Sequence, residues 1–189
     1  EVLIAPHFSE DALDLLKEKK NIRVISKRNF EKSSMPFLIQ AIDGGFLVQE
    51  DDWKIIDKDN LEYVTERKPT DDQIIDLLFA WKVCKYVKSN AIIFAKNQQT
   101  IGIGAGQMSR VNSAKIASLK ATAADLDTKD SVMASDGFFP FSDSIKMASD
   151  NGISCIIQPG GSIKDNEVIE EANKQNIAMV VTRMRHFRH

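Results

Sequence analysis

Three glycines at alternate positions, Gly102, Gly104 and Gly106, run toward an arginine in the stretch Thr100-Ile-Gly-Ile-Gly-Ala-Gly-Gln-Met-Ser-Arg110. The apolar run Ala91-Ile-Ile-Phe-Ala95 before it reads as a buried strand, and Val111–Leu119 after it has apolar residues at helical spacing. A strand, a glycine turn and a helix start can hold an anion. The backbone comes close, the first helical N–H groups are unpaired, and Arg110 adds a full positive charge. The spacing is not G-x-G-x-x-G and no G-K-[ST] follows, so neither the dinucleotide pattern nor the P-loop fits. A tight turn whose small residues serve close packing explains the same glycines.

Three further stretches carry chemistry. In Gly137-Phe-Phe-Pro-Phe141, Pro140 biases Phe139 to an extended backbone, so this is a loop. Its three phenylalanines either pack a corner of the core or line a pocket for a flat ring. Gln158-Pro-Gly-Gly-Ser162 is a second glycine turn behind a strand-like run. The closing segment, Thr182-Arg-Met-Arg-His-Phe-Arg-His189, holds three arginines and two histidines around one phenylalanine. It reads as a solvated basic tail, as a weak nucleic-acid contact, or as a source of one arginine folded back on a phosphate. A charge-assisted bond of that last kind contributes about 1.5–3 kcal/mol.

Bulk properties exclude several classes. At 189 residues, 43% hydrophobic and 28% charged, the chain is that of an ordinary globular protein with room for one large domain or two small ones. A net charge of −2 gives no general pull toward nucleic acid or anionic membrane, and no apolar run approaches a span of roughly 20 residues. No signal peptide opens the chain. Cys84 and Cys155 stand apart, with only His7, His186 and His189 as further soft ligands, so no zinc site is expected. Both cysteines read as reduced, buried thiols of a cytosolic protein. A start at Glu1, directly on an apolar run, suggests a piece of a longer protein.

Alternating strands and helices must position these residues. Val2–Ala5 and Ile22–Ile25 read as strands flanking a helix that Ser9 caps and that runs to Lys20. Ser26–Ile42 gives no assignment; Gly44-Gly45 is a turn before a short strand, Phe46–Gln49. The weakly alternating residues 50–69 end at Lys68-Pro69, where a boundary is expected between residues 1–69 and 70–189. Thr70-Asp-Asp-Gln73 is a capping box opening a helix through Ile74, Leu77, Leu78, Trp81 and Cys84. Beyond the glycine stretch follow a helix Asp143–Asp150, a strand Ser154–Ile157, a helix Lys164–Gln175 and a strand Ile177–Val181. This alternation predicts an α/β layered fold, with both glycine turns free to lie at one sheet edge.

Four blocks in this order resemble one family: Lys88-Ser-Asn-Ala-Ile-Ile-Phe-Ala-Lys96; Ile101-Gly-Ile-Gly-Ala-Gly-Gln-Met-Ser-Arg110; Ser135-Asp-Gly-Phe-Phe-Pro-Phe-Ser-Asp143; and Gln158-Pro-Gly-Gly-Ser162 with Met184-Arg-His-Phe-Arg-His189. They are similar to the C-terminal part of the PurH family of bifunctional purine-biosynthesis proteins, which join an IMP cyclohydrolase to an AICAR transformylase. The resemblance spans essentially the whole chain and is closest to bacterial-type members.

The resemblance implies a transformylase of two cytidine-deaminase-like, three-layer α/β/α subdomains without the deaminase zinc. Residues 1–69 would be the C-terminal portion of the first subdomain and residues 70–189 the second. It implies formyl transfer from 10-formyltetrahydrofolate, a co-substrate, to the 5-amino group of AICAR, giving FAICAR. It implies a cytoplasmic homodimer with active sites at the subunit interface, and no nucleic-acid or membrane partner. Carried over by position, Asn90 lies near the reacting carboxamide and formyl group and is the catalytic candidate, while Arg110 reads the carboxamide region. Phe138 contacts the imidazole, Arg185 lies on the nucleotide side, Lys20 is a phosphate partner and Glu1 a ribose contact. Val111, Asp143, Ser162 and Ile163 fall on folate-contacting positions. Three departures stand out, the first being that the whole cyclohydrolase domain is missing. The family's catalytic Lys-His pair lies upstream of Glu1, and Ser142 replaces the usual arginine of the F-F-P-F-R-D block. The fragment alone is therefore expected to be inactive. A non-catalytic nucleotide-binding or regulatory domain on the same fold is the alternative, and a nicotinamide dehydrogenase, disfavoured by the glycine spacing, a third.

Overall fold

A computed structural model describes residues 1–28 and 37–188. The chain divides into two compact units, Glu1–Trp53 and Lys54–His189. This division lies upstream of the Lys68-Pro69 link. Residues 54–69 pack with the second unit, where Ile56 and Leu61 join the core.

In the first unit, β1 (Val2–Ala5) pairs in parallel with β2 (Arg23–Ser26), and α1 (Glu10–Lys17) connects them. Ser9 caps α1 by accepting from the Ala12 amide, as its sequence position suggests, but the helix stops at Lys17, short of Lys20. β3 (Phe37–Ile42) and β4 (Gly45–Glu50) form a hairpin around Asp43-Gly44, where Gly44 has φ +77°. The sequence left β3 unassigned; residues 29–36 of that stretch lie outside the described residues.

The second unit is built on a six-stranded mixed sheet. Its strands are β5 (Glu62–Tyr63), β6 (Ile92–Lys96), β7 (Gln99–Gly104), β8 (Val132–Ser135), β9 (Cys155–Gln158) and β10 (Ala178–Val181), in the order β5-β10-β9-β8-β6-β7. β8, β9 and β10 run parallel, and β6, β7 and β5 pair antiparallel with their neighbours. Alternation along the central strands sends side chains to two cores. On one face Ile93, Ala134, Ile157 and Val180 meet Leu77, Ala80, Trp81 and Cys84 of α2 (Asp71–Cys84). On the other, Ile92, Phe94, Met133, Ile156 and Met179 meet α3 (Arg110–Ala123), α4 (Asp143–Asp150) and α5 (Asp165–Lys174). The α/β/α layering follows from this two-sided burial. Both halves of the α2 capping box form: the Gln73 amide reaches Thr70 Oγ1 at 3.2 Å, and the Thr70 amide reaches Gln73 Oε1 at 3.0 Å.

The glycine stretch departs from the expected strand–turn–helix. The chain turns back earlier, at Asn97-Gln98, whose amides donate to the Asp76 carboxylate at 2.8 and 2.7 Å. Gly102 and Gly104 then lie within β7, paired to β6. A Cβ on Gly102 would collide with the Ala117 carbonyl, and one on Gly104 with the Ser113 carbonyl. These two glycines let α3 lie directly on β7. Only Gly106, at φ +66°, serves the turn before α3.

Strand register fixes which loops share an edge. Ile92 sits opposite Gly104 on one side and Ser135 on the other, Ala134 opposite Ile157, and Ile157 opposite Val180. The start of β6 and the ends of β7, β8, β9 and β10 therefore lie at the same sheet edge. Both glycine turns, the phenylalanine loop and the closing segment all emerge there.

Candidate functional site

Asn90 precedes β6 and is tied to the turn that follows β7. Its side-chain Nδ2 donates to the Gln107 carbonyl at 2.9 Å, and its backbone amide donates to the same oxygen at 3.2 Å. The Ser113 hydroxyl, on α3, donates to the Asn90 carbonyl at 2.8 Å. The Gly106 amide reaches the Lys88 carbonyl at 2.7 Å, and the Ser89–Asn90 peptide is cis.

Arg110 is the first residue of α3, behind the N-cap Ser109. Its guanidinium turns toward the end of β8, where Nε donates to Ser135 Oγ and Nη2 to Asp136 Oδ1, both at 3.2 Å. Asp136 is fully buried and the Arg110 side chain 14% exposed. Ser135 Oγ donates onward to the Gly137 carbonyl at 2.7 Å. A Cβ on Gly137 would strike Arg110 Nη2, so glycine makes room for the pair.

The phenylalanine loop divides between core and surface. Phe139 is fully buried in the core, its amide donating to Gln158 Oε1 at 3.3 Å. Phe138 and Phe141 are exposed at the sheet edge. Beside Phe141, Lys164 Nζ lies 5.0 Å from the ring centroid and brings the second glycine turn alongside. That turn is held from within: the Asp165 carboxylate accepts from the Gly161 amide at 2.6 Å and the Ser162 amide at 3.1 Å. Ile163 is left fully exposed at its tip.

The closing segment is not a solvated tail. The His186 amide donates to the Asp136 carbonyl at 3.2 Å, Ser89 donates to the Arg188 carbonyl at 2.9 Å, and Arg188 donates to Ser89 Oγ at 3.1 Å. These bonds strap it across the start of β6 and the end of β8. Its Phe187 ring comes close to where a Gly137 Cβ would sit. Arg183 is held by Glu62 through bonds of 3.0 and 2.8 Å, and Arg185 lies exposed with its guanidinium 4.9 Å over Phe187.

Asn90, Arg110, Phe138 and Arg185 thus emerge on loops linked by hydrogen bonds at one edge. Val111 and Asp143 open α3 and α4 at that edge, and Ser162 and Ile163 lie on the turn after β9. Glu1 and Lys20 belong to the first unit, where they line an open cleft of about 340 Å³ with Asn21, Ile22 and Arg23. Sequence reasoning quoted Ser135, Asp136, Gly137 and His186 within its blocks but gave none of them a site role. A serine and an aspartate at the end of an apolar strand, ahead of a glycine, are the signal that marks them.

Burial pushes the Cys84 thiol upward, the nearby Asp136 charge adds to this, and Arg110 opposes it. Among the described residues no group of three His, Cys, Asp or Glu side chains converges as a metal site, and no helix is long and apolar enough to cross a membrane.

The AICARFT/IMPCHase bienzyme family model matches residues 1–120. The bifunctional purine biosynthesis protein PurH of Chlorobium chlorochromatii is 53% identical over 190 residues, covering all of this chain and 36% of the relative. The PurH proteins of Pelodictyon phaeoclathratiforme and Chlorobium phaeobacteroides are 52% and 51% identical, each over 195 residues with the same coverage. The chain therefore spans about a third of the length of these relatives. A solved diaminohydroxyphosphoribosylaminopyrimidine deaminase/5-amino-6-(5-phosphoribosylamino)uracil reductase from Thermotoga maritima matches 51% of this chain and 31% of its own. The TM-score is 0.41 and the sequence identity 12%.

Proposed function

The chain belongs to the AICARFT/IMPCHase bienzyme family, and from that premise we propose that it carries the nucleotide- and folate-contacting part of an AICAR transformylase. The reaction is formyl transfer from 10-formyltetrahydrofolate to the 5-amino group of AICAR, giving FAICAR on the way to IMP. The supporting observation is the linkage of Asn90, Arg110, Phe138 and the Arg185 segment at one sheet edge, around the buried Arg110–Asp136 pair.

The amine of AICAR is a weak nucleophile, because its lone pair is delocalised into a ring bearing a carboxamide. Holding that carboxamide rigid and supplying donors where oxyanion charge develops would lower the barrier. Arg110 would donate to the carboxamide carbonyl, and Phe138 would stack on the imidazole. The Asn90 amide, both donor and acceptor, would bridge the reacting groups. Arg185 would face the nucleotide, and the family positions of Lys20 and Glu1 are those of a phosphate and a ribose contact. Val111, Asp143, Ser162 and Ile163 would hold the folate. The general base would be a Lys-His pair outside this chain, since no Lys-His dipeptide occurs in it. The complete protein, which we propose also carries IMP cyclohydrolase activity, would be a cytoplasmic homodimer with active sites between subunits.

The test is formyl transfer by this chain within a protein of its relatives' full length. The unaltered protein formylates AICAR, and Arg110→Ala lowers kcat/KM by about a hundredfold or more. No transfer by the unaltered protein overturns the reading, and so does full activity of Arg110→Ala. The isolated 189-residue chain should not turn over; measurable transfer by it would contradict the assignment of the base to an upstream segment.

A further inference from the structure

We propose that Asp136 makes Arg110 selective for a neutral carboxamide over a carboxylate on the same imidazole ring. The inference rests on the transformylase reading, in which Arg110 faces that substituent, and adds a specificity-determining residue to it.

A guanidinium has five N–H donors in a planar fork, and an arginine with no internal partner grips a carboxylate through two of them. Arg110 has already committed Nε to Ser135 Oγ and one Nη2 hydrogen to Asp136 Oδ1. Three N–H donors remain for a ligand, and the guanidinium's positive charge is matched by a carboxylate that is fully buried. The second oxygen, Asp136 Oδ2, has no hydrogen-bond partner among the described residues, so its charge is not spread over other donors. A ligand carboxylate at Arg110 would bring a second negative charge against this one where water is scarce. A carboxamide presents a carbonyl acceptor of the same shape without the charge.

The Asp136 side chain is fully buried, on a main chain that is itself tied down. Its amide donates to the Ala91 carbonyl at 3.3 Å, and its carbonyl accepts from the His186 amide at 3.2 Å. The backbone is thereby fixed on both sides. Gly137 provides the space that Nη2 needs beside it. Ser135 orients the same guanidinium through a neutral hydroxyl, and so separates orientation from charge.

The experiment uses this chain within a protein of its relatives' full length, with AICAR as substrate. The inhibitor is the same ribonucleotide carrying a carboxylate in place of the carboxamide. The unaltered protein should bind the carboxylate compound about a hundredfold more weakly than AICAR. Asp136→Asn should raise KM for AICAR, tighten the carboxylate compound and compress that ratio about tenfold or more. Ser135→Ala should weaken both ligands and leave the ratio in place. Equal binding of the two ligands by the unaltered protein overturns the proposal without any variant. An unchanged ratio in a folded Asp136→Asn protein, checked by circular dichroism, also overturns it, as does a Ser135→Ala shift equal to that of Asp136→Asn. If the unaltered protein forms no FAICAR at all, the transformylase reading fails and the selectivity claim goes with it. If it forms FAICAR without the selectivity, only the claim about Asp136 fails.

Discussion

The imidazole of His186 lies 4.8 Å from the indole of Trp81, the two rings inclined at 48°. Both side chains are buried, one on the closing segment and the other on α2 beneath the sheet. This contact ties the segment carrying Arg185 to the core of the second unit. It turns a stretch of basic composition into a structural strap. Two main-chain bonds, His186 to Asp136 and Ser89 to Arg188, and the bond from the Arg188 amide to Ser89 Oγ hold the same segment.

Ending the chain at Val181 should uncover Trp81 and untie Ser89 from its partners. The lost hydrogen bonds and ring contact together should cost about 3 kcal/mol. Trp81 fluorescence should shift to the red, against a constant background from Trp53, which is already 56% exposed. An unshifted emission spectrum and an unchanged urea midpoint would show that the strap contributes nothing.

Gly137→Ala tests the site from inside. The added methyl would meet Arg110 Nη2 and the Phe187 ring, so either the guanidinium or the closing segment must move. Overpacking of this kind costs about 1–3 kcal/mol. AICAR turnover in the full-length context should fall about as far as in Arg110→Ala, because the arginine loses its seat. Wild-type kinetics in this variant would mean that Arg110 does not need its present position.

Much of the layered fold was legible because the signals were local. The Thr70–Gln73 capping box starts α2 where its residue types indicate, and buried runs such as Cys155-Ile-Ile157 fall on central strands. The glycine stretch misled for a physical reason. Gly102 and Gly104 occupy the inward positions of β7, so the period-two pattern of a half-buried strand shows only in Ile101 and Ile103. What those glycines accommodate, the backbone of α3, is a tertiary neighbour that no local window contains. Of the three readings open for the closing segment, the solvated tail fails for a similar reason. His186 and Phe187 look solvated between arginines until Trp81 and Gly137 are brought beside them. The shared edge of the two glycine turns could be anticipated, since each follows a strand. The Arg110–Asp136 pair could not, because the partners are 26 residues apart and meet only through strand register.

The two cysteines provide a pH test of the core. Burial raises the Cys155 thiol to about 12 and pushes Cys84 upward as well. Unfolded, both thiols would release their protons near the ordinary thiol value, about 8.5–9. Above that value the folded protein therefore holds protons that the unfolded chain gives up, and stability falls as pH rises. The protonated thiols' contribution is fully present below about pH 8.5 and is lost toward the folded values, at about 1.4 kcal/mol per pH unit for each thiol. Urea unfolding between pH 7.5 and 10, compared with a Cys84→Ala/Cys155→Ala variant, isolates this effect from lysine and tyrosine titration. The parent should lose stability more steeply than the variant above pH 9, and its thiols should resist iodoacetamide at pH 8 until urea unfolds the chain. Parallel curves, or fast alkylation of the native protein, would place the thiols in contact with water and break the account of the core around Cys84 and Cys155.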